Sequence, residues 1–194
     1  MSKLQNQFLK DKFGIEKGNE LYAQVIRAVE QNMKNHETES SFRKKVLQMA
    51  ILPSISLFYL LQEQQNLSGE EACRLIEEFL WNYSAERSKA GYEKMAKMPF
   101  FFAMLKNMFS FTFRISGVWD VDIIEKNSRR FRFNINKCLW HDTCTYYKCP
   151  ELCRIFCKSD EITYQGFAKK VEFKRNTMLA EDGNCCDFQF HKSQ

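Results

Sequence analysis

Seven of the eight cysteines fall late in the chain, at Cys138, Cys144, Cys149, Cys153, Cys157, Cys185 and Cys186. Thiols are nucleophiles when deprotonated, ligands for soft metals, and redox groups. Proton-handling side chains are interleaved with them: His141, Asp160 and Asp187. If the segment after Pro150 is helical, the four-residue spacing of Cys149, Cys153 and Cys157 stacks three thiols on one face. Asp160, three residues beyond Cys157, lies on nearly the same face. Cys138 and His141 would end one strand, and Cys186 with Asp187 would begin another, so three elements can converge on one pocket.

Three chemistries fit this set. The first is none: cysteine is among the most buried residue types, and Cys73, Cys144, Cys149 and Cys185 read most simply as packing. The second is a zinc site formed by Cys138, Cys157 and Cys186, with an aspartate or His141 as fourth ligand. The paired Cys-x-x-Cys spacing of zinc ribbons is absent. The third is a nucleophilic thiol, which needs a lowered pKa and a nearby proton acceptor, and His141, Asp160 and Asp187 are available for that role.

The elements that must position these groups follow from periodicity. Leu4 and Phe8, then Leu21, Tyr22, Val25, Ile26 and Val29, recur at helical spacing with Gly14 and Gly18 as the break. A further helix should begin near Ser41 and carry the apolar run Met49 to Leu61, with Pro53 bending it. That run of about 13 residues is too short to cross a bilayer, which takes roughly 20. Ser68 and Glu71 form a capping box, opening a helix that buries Ala72, Leu75, Ile76, Phe79 and Leu80. The aromatic and methionine stripe from Tyr92 to Phe111 reads as a helix wedged against a sheet; a tunnel or groove lined by it is the alternative.

The period then changes to two. Trp119, Val121 and Ile123 alternate with acidic residues, and Phe131, Phe133 and Ile135 with Arg130, Arg132 and Asn134, which predicts a hairpin. Pro150 suits a first helical position, predicting a helix over Glu151 to Asp160. Val171 to Arg175 and Cys186 to Phe190 predict a second hairpin, turning at Glu181-Asp-Gly183. The expected fold is α+β: one domain over 1–194, mainly helical over 1–111, with a small antiparallel sheet and the cysteine-bearing helix between two hairpins over 112–194.

Composition narrows the function. With 194 residues, 18 phenylalanines and only 7 glycines and 3 prolines, the chain can bury one aromatic core and contains no linker. The formal charge of +5 is spread out, and Arg43-Lys44-Lys45 and Ser128-Arg129-Arg130 are shorter than nucleic-acid-binding arms. No nucleic acid, membrane or nucleotide cofactor is expected. Met1 to Lys10 is polar and has no signal-peptide core, so a cytoplasmic location is expected, where free thiols are the rule.

The last third of the chain resembles the L-2-amino-thiazoline-4-carboxylic acid hydrolase family. The likeness rests on a cysteine ending the second strand (Cys138), a Cys-x-x-Asp on a helix (Cys157, Asp160), an Arg-x-Thr-x-Leu strand (Arg175, Thr177, Leu179), and a Gly-x-x-Cys-Asp-Phe close (Gly183, Cys186, Asp187, Phe188). Gln189 stands where the family often has arginine. The family is distantly similar to 4-vinyl reductase domains, which bind small molecules. The resemblance implies hydrolytic opening of a small, carboxylate-bearing cyclic amidine, with Cys157, Cys186, Asp160 and Asp187 catalytic and Arg175 and Thr177 holding the substrate. The competing readings are a non-catalytic sensor of a small molecule or metal, and a redox-sensing thiol protein.

Overall fold

The computed structural model describes residues 3–181 and 183–193, apart from the side chains of Ala168 and Lys169. Asp182, in the middle of the expected turn, and the first residues of the polar N-terminus, Met1 and Ser2, lie outside the described residues.

Helices α1 (Lys3–Phe13) and α2 (Ile15–Met33) are separated by Gly14, whose φ of 83° is open to glycine at little cost. Gly18 does a different job from the one expected, because it sits inside α2. A Cβ built there would lie 2.6 Å from the Lys10 Cα, so the bare glycine lets the two helices approach backbone to backbone. Gly18→Ala is therefore expected to lower stability by about 1–3 kcal/mol through overpacking. Urea unfolding checks this, and an unchanged midpoint would mean that α1 can simply shift away.

Helix α3 (Ser41–Val46) starts where expected, with the Ser40 side chain accepting from the Arg43 amide. It continues through a π-helical turn, Leu47–Ile51, into α4 (Leu52–Gln65). Pro53 has no N–H to give, and the chain widens just before it, the Leu52 amide reaching back to the Leu47 carbonyl. The uninterrupted run Ser41–Gln65 is 25 residues, long and apolar enough to cross a membrane by length and composition, which corrects the shorter estimate. Of its most apolar window, 56% is buried within the fold, as in a core helix. The capping box of Ser68 and Glu71 opens α5 (Gly69–Glu78), which passes through a π turn, Phe79–Ala85, into α6 (Glu86–Ala96).

The aromatic stripe is split at Phe100, which takes a left-handed conformation before α7 (Phe101–Ser116). The sheet has four antiparallel strands in the order β1 (Trp119–Lys126), β2 (Arg130–Cys138), β4 (Cys186–Lys192), β3 (Val171–Lys174). Across β2 and β4, Phe131 faces Phe190, Phe133 faces Phe188 and Ile135 faces Cys186. Cross-strand aromatic pairs of this kind hold register. Phe109 and Phe113 of α7 pack onto them, as the wedged-helix reading expects. On β1 the alternation fails at a bulge between Ile123 and Glu125, leaving Ile123 46% exposed.

Between β2 and β3 lie α8 (Leu139–Tyr146), which the sequence reading missed, and α9 (Pro150–Tyr164). One apolar cluster fills the helical half and another lies between α7 and the sheet, with Trp119 and Cys157 packing against both.

Candidate functional site

The seam between those clusters contains a cavity of about 380 Å³. Strand β2 supplies Phe133, Ile135 and Cys138, β4 supplies Cys186 and Phe188, α9 supplies Cys157, Asp160 and Tyr164, and Arg175 closes the set. Strand alternation accounts for part of this selection, since Cys186, Phe188 and Phe190 share the buried face of β4. Tyr92, Met108, Phe109 and Phe113 also line the cavity, so the aromatic stripe both packs the sheet and walls a pocket.

The cysteines form a chain of thiol contacts. Cys149 adjoins Cys144, Cys144 adjoins Cys153, Cys153 adjoins Cys157, and Cys157 adjoins Cys186. Cys149 does not lie within α9 as expected but precedes it, and its Sγ donates to the Cys144 carbonyl at 3.6 Å. Cys144, Cys149 and Cys153 are buried in the helical core. The Cys186 sulfur accepts the Leu179 amide at 3.3 Å.

Every cavity thiol is held protonated. For Cys157 the contact with Cys153 is the largest cause of a raised pKa, followed by burial; for Cys186 it is the contact with Cys157, again followed by burial. Cys138 is pushed up to about 11 by burial, although the amides of His141 and Trp140 oppose this. A resting thiolate nucleophile is therefore disfavoured. The three candidate zinc ligands, Cys138, Cys157 and Cys186, all line the cavity. Among the described residues, no three Cys, His, Asp or Glu side chains are arranged to hold a metal ion.

Asp160 and Arg175 are the charged groups of the cavity. Arg175, with a side chain only 2% exposed, donates to Asp160 at 3.0 Å and to the Cys157 carbonyl at 2.8 Å, and its guanidinium lies 5.2 Å from the Phe188 ring centre. Burial raises the Asp160 pKa to about 6, against the pull of Arg175. Burial and the nearby Asp160 charge keep the Tyr164 phenol protonated.

The remaining candidates lie elsewhere. Asp187 does not line the cavity: next to Cys186 on a strand, it points to the other face. Its carboxylate accepts the amides of Asn176 and Thr177, both at 2.7 Å, and the Gln189 side chain at 2.8 Å. Thr177 donates to the Cys185 carbonyl at 2.9 Å. Arg175, Thr177 and Leu179 were expected on a strand but lie in the long connection between β3 and β4, so no tight hairpin turn joins those strands. His141 sits on α8, 3.6 Å from Asp142, outside the cavity lining.

Asp187 thus organises the connection that carries Arg175. Burial works against its charge, but the amide donors prevail and lower its pKa below the ordinary 3.8. Its contribution to stability is therefore present above about pH 3.8 and is lost as pH falls through the lowered value. Asp187→Ala is expected to cost about 2–3 kcal/mol in urea unfolding, since several donors lose their acceptor. A loss below 0.5 kcal/mol would mean water replaces the carboxylate.

Sequence reasoning missed the wall built by Trp119 and Trp140, whose rings stack at 5.7 Å and 11°. The available signal was that Trp119 stands opposite Cys138, with Trp140 two residues beyond it.

Among curated proteins, none matches the chain. A crystal structure of an Fe(II) unliganded H-NOX protein mutant from K. algicida covers 98% of this chain and 94% of that one, at 14% identity and a TM-score of 0.38. A likeness that loose carries no argument. The family described as L-2-amino-thiazoline-4-carboxylic acid hydrolase matches residues 46–190, extending the resemblance from the last third into the helical half. With most of its length matched, including Cys138, Cys157, Asp160, Arg175 and Cys186, the chain belongs to the L-2-amino-thiazoline-4-carboxylic acid hydrolase family.

Proposed function

We propose that this protein is a hydrolase that opens the ring of a cyclic amidine carrying a carboxylate, of the 2-amino-thiazoline-4-carboxylate type. The observation that carries the reading is Asp160, a cavity carboxylate with a pKa near 6 beside the buried Arg175. A group with that pKa is ionised at neutral pH and can still give a proton back, as a general acid–base must.

Arg175 holds the substrate carboxylate through N–H donors not used by Asp160, the Cys157 carbonyl and Glu161, the last at 3.5 Å. Asp160 takes a proton from water as the water oxygen bonds to the amidine carbon. The ring carbon–sulfur bond then breaks with its electron pair on sulfur, which receives the proton held by Asp160. The other water proton ends on the ring nitrogen, leaving an N-carbamoyl amino acid with a free thiol. Cys157 and Cys186, kept as neutral S–H groups, line the cavity without competing for the amidine carbon.

Incubation with 2-amino-thiazoline-4-carboxylate should produce one thiol and one N-carbamoyl group per substrate, followed by thiol titration and mass spectrometry. Cys157→Ser and Cys186→Ser retain a donor and should each slow turnover by less than about tenfold; complete loss would instead establish a covalent thiol route. The second reading, a small-molecule sensor, draws support from the Arg175–Asp160 pair, whose charges already satisfy each other. It prevails if the compound raises the melting temperature and no product forms.

A further inference from the structure

The cavity offers more apolar surface than a bare aminothiazoline carboxylate can use. Its volume of about 380 Å³ falls within the range of about 300–1,000 Å³ typical of sites that bury drug-sized ligands. Against the pair formed by Arg175 and Asp160 stand Phe109, Phe113, Trp119, Phe133, Trp140 and Phe188. Trp119 and Trp140 stack on each other, Phe113 lies perpendicular to Trp119 at 6.0 Å and 82°, and all three line the cavity. Two of the hydroxyls along this lining are already engaged: Thr112 donates to the Met108 carbonyl at 2.9 Å and Ser159 to the Phe156 carbonyl at 2.6 Å.

A small polar ring held by Arg175 would leave much of this wall in contact with water. Apolar surface gains free energy when it leaves water, and aromatic faces accept a planar partner with added geometric preference. We propose that the preferred substrate is a cyclic amidine carboxylate extended by a planar, apolar ring system. Its carboxylate meets Arg175, its amidine carbon lies beside Asp160, and the extension packs among Phe113, Trp119 and Trp140. This inference rests on the hydrolase reading.

Calorimetric titration tests it with two probes: 2-amino-thiazoline-4-carboxylate, and the same compound carrying a phenyl group on the ring carbon next to sulfur. Ring opening of each is followed alongside. The phenyl compound should bind at least tenfold more tightly, and Trp140→Ala should reduce that ratio to below threefold. Thr112→Phe, which fills the cavity from α7 without removing any aromatic wall, should also shrink the ratio and so guards against a folding defect in the first variant. Equal or weaker binding of the phenyl compound to the unaltered protein overturns the inference. Ring opening of the bare compound with exclusion of the phenyl compound overturns it too, and leaves the hydrolase reading standing. Tighter phenyl binding with neither compound opened overturns the hydrolase reading, and leaves the preference of the cavity standing.

Discussion

Asp160→Asn is expected to lower turnover of the cyclic amidine by at least a hundredfold while leaving the fold intact. Loss of a general acid–base typically costs about 10²- to 10⁴-fold. Asparagine is nearly isosteric and can still accept from Arg175, but it cannot take a proton from water. The pH profile gives the sharper test. In the unaltered protein, kcat/KM should rise with pH through about 6 and then level, because Asp160 must be ionised to act as base. The variant should lose that limb. A profile unchanged in Asp160→Asn would remove this residue from the chemistry whatever the size of the rate effect.

The same group has the opposite effect on stability. Its folded pKa of about 6 lies above the ordinary 3.8, so between those values the folded state binds more protons than the unfolded chain. The stabilising contribution is complete below about pH 3.8 and is lost as pH rises through about 6. Asp160→Asn should therefore flatten the decline in melting temperature over that window. Activity and stability trade against each other at this one carboxylate, because the burial that tunes it for proton transfer also makes its charge costly.

Arg175→Ala should be the most destabilising change in the site. The guanidinium is 2% exposed and bridges Asp160 and the Cys157 carbonyl, so it ties the β3–β4 connection to α9. Removing one partner of a buried pair costs about 3–5 kcal/mol. The lower end applies here, because the Asp160 side chain retains 32% exposure and can relax by taking up a proton. Arg175→Lys should restore little, since an ammonium cannot make the same forked contacts.

The double variant Asp160→Asn with Arg175→Met separates two roles of Arg175. If the arginine only balances the buried charge, the double variant should unfold at nearly the same urea concentration as the unaltered protein and bind the substrate carboxylate normally. If it also holds the substrate, stability returns but KM stays raised by at least tenfold. The cycle of single and double variants should show strong non-additivity in stability, as contacting partners do. Additive losses would mean that the pair contributes little as a unit.

Local spacing alone determined most of the secondary structure. The capping box at Ser68, the alternation through Phe131, Phe133 and Ile135, and Pro150 at the head of α9 all act within a few residues, and all appear as read. The Cys-x-x-Asp spacing also survived folding, because three residues along a helix keep Cys157 and Asp160 on adjoining positions of one face and bring both to the cavity.

Only the tertiary structure decided which of the chemically plausible groups meet. Asp187 looked equivalent to Asp160, yet one step along a strand turns a side chain to the opposite face, and its carboxylate was spent on loop amides. Arg175 was legible as a cation but not as the partner of Asp160 at 3.0 Å, since that contact depends on how the β3–β4 connection crosses α9. The thiols looked equivalent along the chain, yet the structure buries Cys144, Cys149 and Cys153 in the helical core and brings Cys138, Cys157 and Cys186 to the cavity, where burial and neighbouring thiols push them toward the neutral form. Burial and long-range pairing set a pKa, and neither is written in the spacing of residues along the chain.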